Sequence, residues 1–449
     1  MSRLDPIFKA YDIRGTVPEQ LDADLVRAIG VGFAVFAGAP RILIARDMRP
    51  SGEELAAAFA DGARSQGVDV VMLGLASTDL LYFASGKLDA PGVMLTASHN
   101  PAQYNGIKLC LAGAKPVGID SGLLEIKETA EAVLSGGGPA ATTHRGEVGD
   151  MDLLEAFADH VTSFIDVDAL SPLSVVADTA NGMGGLIVPI VFSRLPMKLE
   201  VMFGELDGSF PNHPADPIQP ENQRDLMARV PAAGADLGLA FDGDADRVFL
   251  VDELGVGLSG STTTAILAAA VLAKKPGSTI LYNLICSRAV PEVIRERGGV
   301  PVRTRVGHSD IKQVMAETGA AFGGEHSAHY YFQDNYRADS GIIATMFVLE
   351  QLSQSALPLS ELRKPFERYA ASGEINTVVA SPSAVIERVA DLYRGVSQDR
   401  LDGLTVDHGS WWFNLRPSNT EPLLRLNLEA ANRAECDEHV AEVLGVITA

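Results

Sequence analysis

The sequence predicts an α/β protein made of three similar mixed α/β domains and a smaller C-terminal α+β domain. Two observations lead to this fold class. A strand, a helix and a second strand follow one another three times along the chain, which is the pattern of parallel or mixed α/β sheets. Each copy is followed by one more apolar strand that ends in an unusual polar loop. A chain of 449 residues is also too long for a single core, so we expect several domains.

The three copies share a pattern and little sequence identity. They comprise strand 41–47, helix 51–66 and strand 69–74; strand 174–178, helix 185–195 and strand 199–203; and strand 278–282, helix 289–297 and strand 301–305. The first helix is predicted to begin with a capping box at 51–54 and to end before Gly67. Each copy is therefore interpreted as a βαβ unit.

Three polar loops follow the additional strands of the three units. Strand 91–95 leads into a serine loop (96–101), strand 235–241 into an aspartate loop (242–247), and strand 319–322 into a glutamate loop (323–329). Ligands of open α/β sheets gather at the carboxyl ends of strands. We therefore expect the three loops to face one cleft.

Composition and pattern predict four domains, with limits at 1–150, 151–254, 255–370 and 371–449. A Gly-rich segment at 135–139 and a polar stretch up to Asp150 separate the first two, and a turn at 253–255 separates the second from the third. After Ala370 the pattern changes. There we expect strands near 375–379 and 411–415, helices at 383–395 and 433–447, and a polar loop between 415 and 423.

Charge and composition exclude several classes of partner. The net charge of −22 argues against nucleic acid and against an anionic membrane surface, both of which require a basic patch. The three cysteines are isolated, which fits a reducing compartment, and the N-terminus does not resemble a signal peptide. The apolar run 264–273 is too short to span a bilayer and indicates a buried helix. We expect a cytoplasmic protein without a membrane partner.

The serine loop predicts a phosphoserine. Ser98 follows an apolar strand and is flanked by Thr96, His99 and Asn100, while Lys108 on the next strand offers a cation for phosphate. A Ser-His-Asp hydrolase is the rival chemistry, but it requires a Gly-X-Ser-X-Gly elbow that is absent around this serine.

The aspartate loop predicts a metal site. Asp242, Asp244 and Asp246 occupy alternate positions, and three such carboxylates repel one another unless a cation lies between them. An EF-hand is excluded because its sixth position requires glycine and this chain has Arg247 there. An oxygen-only ligand set favours Mg²⁺, and the arginine is placed to bind a phosphate oxygen. The serine and aspartate loops together indicate phosphoryl transfer.

Two weaker motifs complete the candidate site. Glu325, Ser327 and His329 lie on one side if their segment is extended, where the glutamate and serine suit vicinal sugar hydroxyls. Zinc is discounted because the histidines do not have helical His-Glu-x-x-His spacing. Arg416 precedes three small hydrogen-bonding residues at 418–420, a composition that suits a phosphate cradle but also an ordinary turn.

Other residues have structural as well as functional interpretations. Arg14 lies in a Gly-bounded turn and suits an anion contact, and His308 is a candidate for titration near neutral pH. Asp47 and Arg49 are predicted to form a structural ion pair. The Trp411–Trp412 pair is predicted to be core.

Five motifs occur in an order that resembles the α-D-phosphohexomutase superfamily, and within it the bacterial phosphomannomutase/phosphoglucomutase branch. They are Tyr-Asp-Ile-Arg-Gly (11–15), Thr-Ala-Ser-His-Asn-Pro (96–101), Asp-Gly-Asp-Ala-Asp-Arg (242–247), Gly-Glu-His-Ser-Ala-His (324–329) and Arg-Pro-Ser-Asn-Thr-Glu-Pro (416–422). The resemblance covers essentially the whole chain. It implies four domains in a heart shape around a central cleft, the last with a TATA-binding-protein-like fold.

The resemblance also implies roles for individual residues. The candidate catalytic residues are Ser98 as phosphoryl carrier, Arg14, His99, Lys108, His308 and His329. The candidate substrate-binding residues are Tyr11, Arg247, Gly307, Glu325, Ser327, Arg416, Ser418, Asn419 and Thr420. The candidate Mg²⁺ ligands are Ser98, Asp242, Asp244 and Asp246. Which histidine or lysine carries the proton is left open.

The function implied is interconversion of mannose 6-phosphate and mannose 1-phosphate, and of the glucose pair, through a phosphoserine and a hexose 1,6-bisphosphate. Glucose or mannose 1,6-bisphosphate is the expected activator, hexose phosphates are the expected partners, and a monomer or weak homodimer is expected. Phosphoglucosamine mutase, a dedicated phosphoglucomutase and a catalytically silent sugar-phosphate-binding protein are the alternatives. Two positions depart from the family pattern: Ala328 replaces a common glycine, and Arg288 is expected to compensate for a missing lysine.

Overall fold

The structure is a computed structural model that describes residues 2–417 and 423–448. The first domain contains β1 (Ile13–Thr16), α1 (Ala23–Ala37), β2 (Arg41–Arg46), α2 (Gly52–Ser65), β3 (Asp69–Leu75), α3 (Thr78–Leu88), β4 (Gly92–Leu95), β5 (Tyr104–Leu111), β6 (Lys115–Pro116), α4 (Leu123–Leu134) and β7 (Val148–Asp150). The second contains α5 (Leu154–Thr162), β8 (Ser174–Asp178), α6 (Gly184–Phe192), β9 (Lys198–Met202), α7 (Arg224–Ala233), β10 (Leu237–Phe241) and β11 (Val248–Asp252).

The third domain contains α8 (Gly260–Lys274), β12 (Thr279–Asn283), α9 (Ala289–Glu296), β13 (Val300–Thr304), α10 (His308–Thr318), β14 (Phe322–Gly324), β15 (Tyr330–Phe332), α11 (Gly341–Ser355) and α12 (Leu359–Leu362). The fourth contains β16 (Ala370–Val378), α13 (Pro382–Leu392), β17 (Ser397–Asp399), β18 (Leu404–Asp407), β19 (Trp412–Pro417), β20 (Leu423–Ala430) and α14 (Arg433–Thr448). Each of the first three sheets lies within one predicted domain, and the fourth begins at Ala370, one residue before the predicted limit at 371. The domain boundaries themselves stay a prediction.

Four strands have the same arrangement in the first three sheets. In the orders β5-β4-β2-β3, β11-β10-β8-β9 and β15-β14-β12-β13, the last three strands are parallel and the first is antiparallel. Strands β4, β10 and β14 therefore hold equivalent positions, and their carboxyl ends carry the serine, aspartate and glutamate loops. The predicted fold class, three similar mixed α/β domains and a C-terminal α+β domain, is confirmed.

One continuous core joins the first three domains, the first domain has a second core of its own, and the fourth has a separate core. A single cluster of buried apolar side chains includes Leu81 of the first domain, Val176 of the second and Phe347 of the third. The fourth domain forms an antiparallel sheet in the order β16-β20-β19-β18-β17, whose separate core contains Trp411. Both tryptophans are buried, as predicted (Trp412 is 6% exposed).

The fourth domain contacts the third through Arg288. The guanidinium pairs with the Asp407 carboxylate and donates to the Gly409 carbonyl, and the backbone N–H donates to Glu429 Oε1 at 3.0 Å. These bonds tie the start of α9 to the C-terminal sheet. Arg288 is therefore an interdomain contact, and its compensation for a missing lysine stays a prediction.

Two local predictions are wrong. Ser51 makes no capping hydrogen bond to α2, because its own backbone is already helical (φ −77°, ψ −10°) and not extended as a cap requires. Its hydroxyl accepts from Asn105 Nδ2 at 2.9 Å instead. The glutamate loop is not extended. It turns between β14 and β15, with Ala328 at a φ of 64° and its N–H donating to the Glu325 carbonyl. This left-handed conformation favours glycine.

The apolar run 264–273 lies in α8 and is buried, as predicted. No single helix in the described ranges is both long and apolar enough to cross a membrane. One sharply bent pair, Gly341–Ser355 with Leu359–Phe366, passes the test only when its two helices are joined.

Candidate active site

Ser98 lies where the serine loop meets the aspartate loop. The side chain is buried, and its Oγ donates to Asp242 Oδ2 at 2.8 Å and accepts from Arg247 Nη2 at 3.2 Å. Nδ1 of His99 lies 3.2 Å from the same oxygen. The hydroxyl is therefore held between a carboxylate and a guanidinium that come from a different domain.

The buried side chain of Arg49 fixes the conformation of the serine loop. Its guanidinium donates to the carbonyls of Ser98 (2.9 Å), Asn100 (2.6 Å), Pro101 (2.8 Å) and Tyr104 (2.8 Å). The predicted ion pair with Asp47 is present, with Nε and Oδ2 3.2 Å apart and both side chains fully buried. Ser98 has a φ of 49°, which is uncommon for a residue other than glycine. We refer to Arg49 and the carbonyls it contacts as the arginine clamp.

The aspartate loop has the properties of a divalent-cation site. One oxygen from each of Asp242, Asp244 and Asp246 lies within 4.8 Å of the others, and all three residues are buried. Asp244 Oδ1 and Asp246 Oδ1 are buried without a hydrogen-bond partner among the described residues. Buried carboxylate oxygens that lack donors are costly unless a cation binds them. The residues present therefore fit Mg²⁺, which prefers oxygen ligands.

Lys108 compensates part of the negative charge. Its Nζ lies 2.6 Å from Asp244 Oδ2 and 2.8 Å from Asp246 Oδ2. Burial opposes the charged form, but the two carboxylates raise the pKa of Lys108 well above its ordinary value. Burial likewise opposes the Asp244 carboxylate, yet the lysine holds the pKa of that group below its usual range. Burial raises the pKa of Asp242 to about 7 despite the contact with Arg247.

His99 is neutral and hydrogen-bonded to Arg247. Burial, reinforced by the nearby guanidinium, holds the pKa of His99 well below its ordinary value. Its Nδ1 lies 2.5 Å from Arg247 Nη2 and accepts that hydrogen bond, which puts the ring proton on Nε2. The ring therefore orients the guanidinium that contacts Ser98.

Glu325 is buried and is oriented by neighbouring hydrogen-bond donors. It accepts hydrogen bonds from Tyr331 Oη at 2.8 Å, from Asn283 Nδ2 at 3.2 Å and from the Gly307 N–H at 3.2 Å. Burial would raise the pKa of Glu325, but the hydrogen bonds from His329 and Tyr331 lower it to about 2. The group is thus a fixed, ionised acceptor.

His329 connects the glutamate loop to the aspartate loop. Its Nδ1 lies 3.4 Å from Glu325 Oε2 and 3.2 Å from Ser327 Oγ, and its Nε2 lies 3.7 Å from Asp246 Oδ1. Burial would lower the pKa of His329, but the contact with Glu325 raises it above its ordinary value. The turn, and not an extended segment, brings these three predicted side chains together.

Arg14 contacts the serine loop from the N-terminal strand. Its Nη1 donates to Asn100 Oδ1 at 2.5 Å, and its Nε pairs with Asp12 Oδ2 at 2.7 Å. Strand β1, which carries Arg14, lies antiparallel to β5, which carries Lys108. The sheet thus directs Arg14 to the serine loop and Lys108 to the aspartate loop.

Tyr11 and Gly307 join the first domain to the third. Tyr11 Oη donates to the Val306 carbonyl at 3.2 Å. Gly307 has a φ of 138°, and a Cβ added there would lie 2.6 Å from the tyrosine oxygen, so only glycine fits. His308 begins α10, and its side chain lies outside the described part of the structure.

Arg416 lies near the end of β19, with Nη2 3.3 Å from Glu374 Oε2. Its Nε is buried and has no hydrogen-bond partner among residues 2–417 and 423–448. The predicted partners Ser418, Asn419 and Thr420 lie outside the described residues. Of the predicted phosphate cradle, the structure therefore describes only Arg416.

Comparison with known proteins identifies the family. The four domains of the phosphoglucomutase/phosphomannomutase family match this chain in order: alpha/beta/alpha domain I at 5–134, domain II at 155–255, domain III at 259–369 and the C-terminal domain at 374–446. A protein of Xanthomonas campestris pv. campestris described as phosphohexose mutases is 40% identical over 434 residues, 96% of each chain. The chain belongs to the phosphoglucomutase/phosphomannomutase family.

Other members of the family agree with this assignment. The phosphomannomutase of Escherichia coli (strain K12) is 39% identical over 432 residues, 94% of each chain. The crystal structure of a phosphoglucomutase/phosphomannomutase family protein from Burkholderia thailandensis superposes with a TM-score of 0.90 at 31% identity, covering 100% of this chain and 98% of the other. The family resemblance predicted from the five motifs is confirmed.

Three residues at the site were missed by sequence reasoning. Asn283 and Tyr331 both bind Glu325, and Arg49 was predicted only as an ion pair with Asp47. The sequence did contain a signal for Tyr331. It lies two positions after His329 where a strand begins, and alternate residues of a strand point to the same side. No signal in the sequence indicated that the Arg49 side chain contacts the serine loop.

Gly243 sets the spacing between the serine and aspartate loops, and Gly243→Ala is expected to lower kcat by about 10²-fold. A Cβ at this position would lie 2.5 Å from the Ser98 carbonyl oxygen, so the two loops would have to move apart. Steady-state kinetics check this, with Gly149→Ala as control because a Cβ there meets nothing within 4 Å. Wild-type kcat in folded Gly243→Ala would contradict the proposed spacing role.

Proposed function

We propose that this protein is a Mg²⁺-dependent phosphohexomutase. It interconverts mannose 6-phosphate and mannose 1-phosphate, and the corresponding glucose phosphates, through phosphorylated Ser98 and a hexose 1,6-bisphosphate. The observation that supports this most directly is the position of Ser98 Oγ, 2.8 Å from Asp242 Oδ2 and 3.2 Å from Arg247 Nη2. A phosphoserine there would lie against the three aspartates and beside a cation.

The charges around the serine suit a phosphoryl group. Asp242, Asp244 and Asp246, with an oxygen of the phosphoserine, would hold Mg²⁺. When bound, the ion neutralises charge on the phosphoryl group during transfer. Arg247 and Lys108 add local positive charge inside a chain whose net charge is −22. This local positive charge would allow an acidic protein to bind an anionic substrate.

Each transfer exchanges one P–O bond for another. The free hydroxyl of the sugar monophosphate attacks the phosphorus of phosphoserine, the bond to Ser98 Oγ breaks, and the hydroxyl proton passes to a base. The product is the 1,6-bisphosphate. After the sugar turns over, Ser98 attacks the other phosphate and releases a monophosphate with its phosphate on the opposite carbon. Free 1,6-bisphosphate acts as an activator because it phosphorylates Ser98 in those molecules where this residue carries no phosphate.

The remaining site residues bind the sugar and its second phosphate. Glu325 and Ser327 bind hydroxyls that both orientations of the flipped sugar present. Arg416 with Ser418, Asn419 and Thr420 holds the phosphate that is not transferred, while Arg14, Tyr11, Gly307 and His308 complete the cleft. Glucose and mannose differ at carbon 2, which these contacts do not read, so both sugars are expected to react.

Among the described candidates, we assign His329 as the base that receives the proton of the sugar hydroxyl. Lys108 is held charged between two carboxylates, and Nδ1 of His99 accepts from Arg247, so neither has a free lone pair facing Ser98. Burial opposes the charged form of His329, but the contact with Glu325 raises its pKa, which makes the ring a stronger base for the hydroxyl proton.

Phosphorus NMR tests the substrate assignment. The purified protein with Mg²⁺ and a trace of glucose 1,6-bisphosphate is given mannose 1-phosphate, glucose 1-phosphate and glucosamine 1-phosphate in parallel. We expect both neutral sugars to become 6-phosphates with comparable efficiency. Conversion of the amino sugar alone would replace the assignment with phosphoglucosamine mutase, and conversion of glucose alone with a dedicated phosphoglucomutase. Binding without any conversion would indicate a catalytically silent protein.

A further inference from the structure

Thr78 is a buried residue of the first domain that contacts the aspartate loop of the second. Its Oγ1 donates to Asp244 Oδ2 at 2.6 Å, and its backbone N–H donates to the Asp244 carbonyl at 3.1 Å. The residue is 0% exposed. Two hydrogen bonds from one residue therefore fix both the main chain and the side chain of one aspartate.

The element that carries Thr78 is held rigidly. Thr78 is the first residue of α3, and Ser77 caps this helix by accepting from the Leu80 N–H at 3.3 Å. Its other neighbour, Asp79, accepts from Ser340 Oγ of the third domain at 2.6 Å. The first turn of α3 is thus fixed between two domains, and a hydroxyl on it has little freedom to move.

The bond to Thr78 determines which oxygen of Asp244 remains available. Oδ2 receives Thr78 Oγ1 and also Lys108 Nζ, each at 2.6 Å. Oδ1 is buried and has no hydrogen-bond partner among the described residues. Two donors on one oxygen resist rotation of the carboxylate, so the other oxygen stays available for a ligand.

We propose that Thr78 is a positioning residue for a divalent cation, which it serves by orienting the Asp244 carboxylate. This rests on the Mg²⁺ site of the proposed function. Outer hydrogen bonds that orient metal-ligating side chains typically change metal affinity by about 10–100-fold. Lys108 supplies charge to the same oxygen, whereas the threonine hydroxyl supplies a short, directed bond from a rigid helix.

The test measures Mn²⁺ binding in the absence of turnover. Full-length protein without sugar phosphate is titrated with Mn²⁺, and free Mn²⁺ is followed by electron paramagnetic resonance. Thr78→Val keeps the side-chain shape and removes the hydroxyl, whereas Thr78→Ser keeps the hydroxyl. We expect Thr78→Val to weaken Mn²⁺ binding by about 10–100-fold and Thr78→Ser to change it by less than about threefold.

A matched control separates positioning from stability. Thr345 is equally buried (0% exposed), and its Oγ1 donates only to the Gly341 carbonyl within α11, at 3.0 Å. Thr345→Val should lower the thermal midpoint at most modestly and leave Mn²⁺ affinity unchanged. If Thr78→Val does not fold, Thr78→Ala is measured against the same criteria.

The outcomes distinguish this inference from the proposed function. A folded Thr78→Val or Thr78→Ala protein that binds Mn²⁺ like wild type overturns the positioning role and leaves the mutase assignment intact. Equal weakening by Thr78→Ser also overturns it, because the hydroxyl would then not be the cause. Wild-type protein that binds no Mn²⁺ overturns the proposed metal site itself, and this inference with it.

Discussion

Ser98→Ala is expected to abolish mutase turnover, with a loss in kcat of at least about 10³-fold, because the group that carries the phosphoryl is removed. Affinity for hexose phosphates should stay within about threefold of wild type, since Glu325, Ser327 and Arg416 are intact. Turnover is measured by a coupled assay and affinity by calorimetry.

The control for this variant is Ser65→Ala, which removes a hydroxyl that donates to the Gly62 carbonyl within α2, away from the cleft. It should keep wild-type kcat. Turnover by Ser98→Ala above about one per cent of wild type would contradict the phosphoserine route.

Arg49→Lys is expected to have the second largest effect. Lysine keeps the charge but lacks the planar fork that reaches several carbonyls at once, so the arginine clamp would be incomplete. Each buried carbonyl left unpaired costs about 1–3 kcal/mol of unfolding free energy. With Ser98 no longer held at its φ of 49°, we expect kcat to fall by about 10²-fold while KM changes little.

Steady-state kinetics and urea unfolding measure the two consequences of Arg49→Lys separately. Arg46→Lys is the control, since Arg46 is partly exposed and, within the described part of the chain, forms an ion pair only with Glu53, at 3.6 Å. It should leave both quantities unchanged. A folded Arg49→Lys protein with wild-type kcat would show that the clamp does not position the serine.

Much of the fold could be predicted from the sequence because strand and helix periodicity recurred in three copies. The strand predicted at 174–178 is β8 itself, and the other units agree within a few residues. The capping box at Ser51 was wrong because a local motif does not reveal that its hydroxyl can reach Asn105, far along the chain. Strands β17 and β18 carried no strong pattern and were not predicted.

The candidate site was predictable where chemistry is concentrated in one loop and not where it depends on domain packing. Asp242 and Ser98 were recognisable from their own neighbours in sequence. The hydrogen bond between Thr78 and Asp244 joins residues 166 positions apart in the sequence, and no local sequence pattern predicts it. The contact between Arg288 and Asp407 was not predicted for the same reason, since the two residues belong to different domains.

Transfer of labelled phosphate through Ser98 is the measurement we would make first. The protein is incubated with Mg²⁺ and ³²P-labelled glucose 1,6-bisphosphate, freed of sugar, and then chased with unlabelled mannose 1-phosphate. We expect the label to appear on the peptide that contains Ser98 and to move to the sugar during the chase, at a rate no slower than turnover. Turnover without label on this peptide, or label there that the sugar never receives, would contradict phosphoryl transfer through this serine.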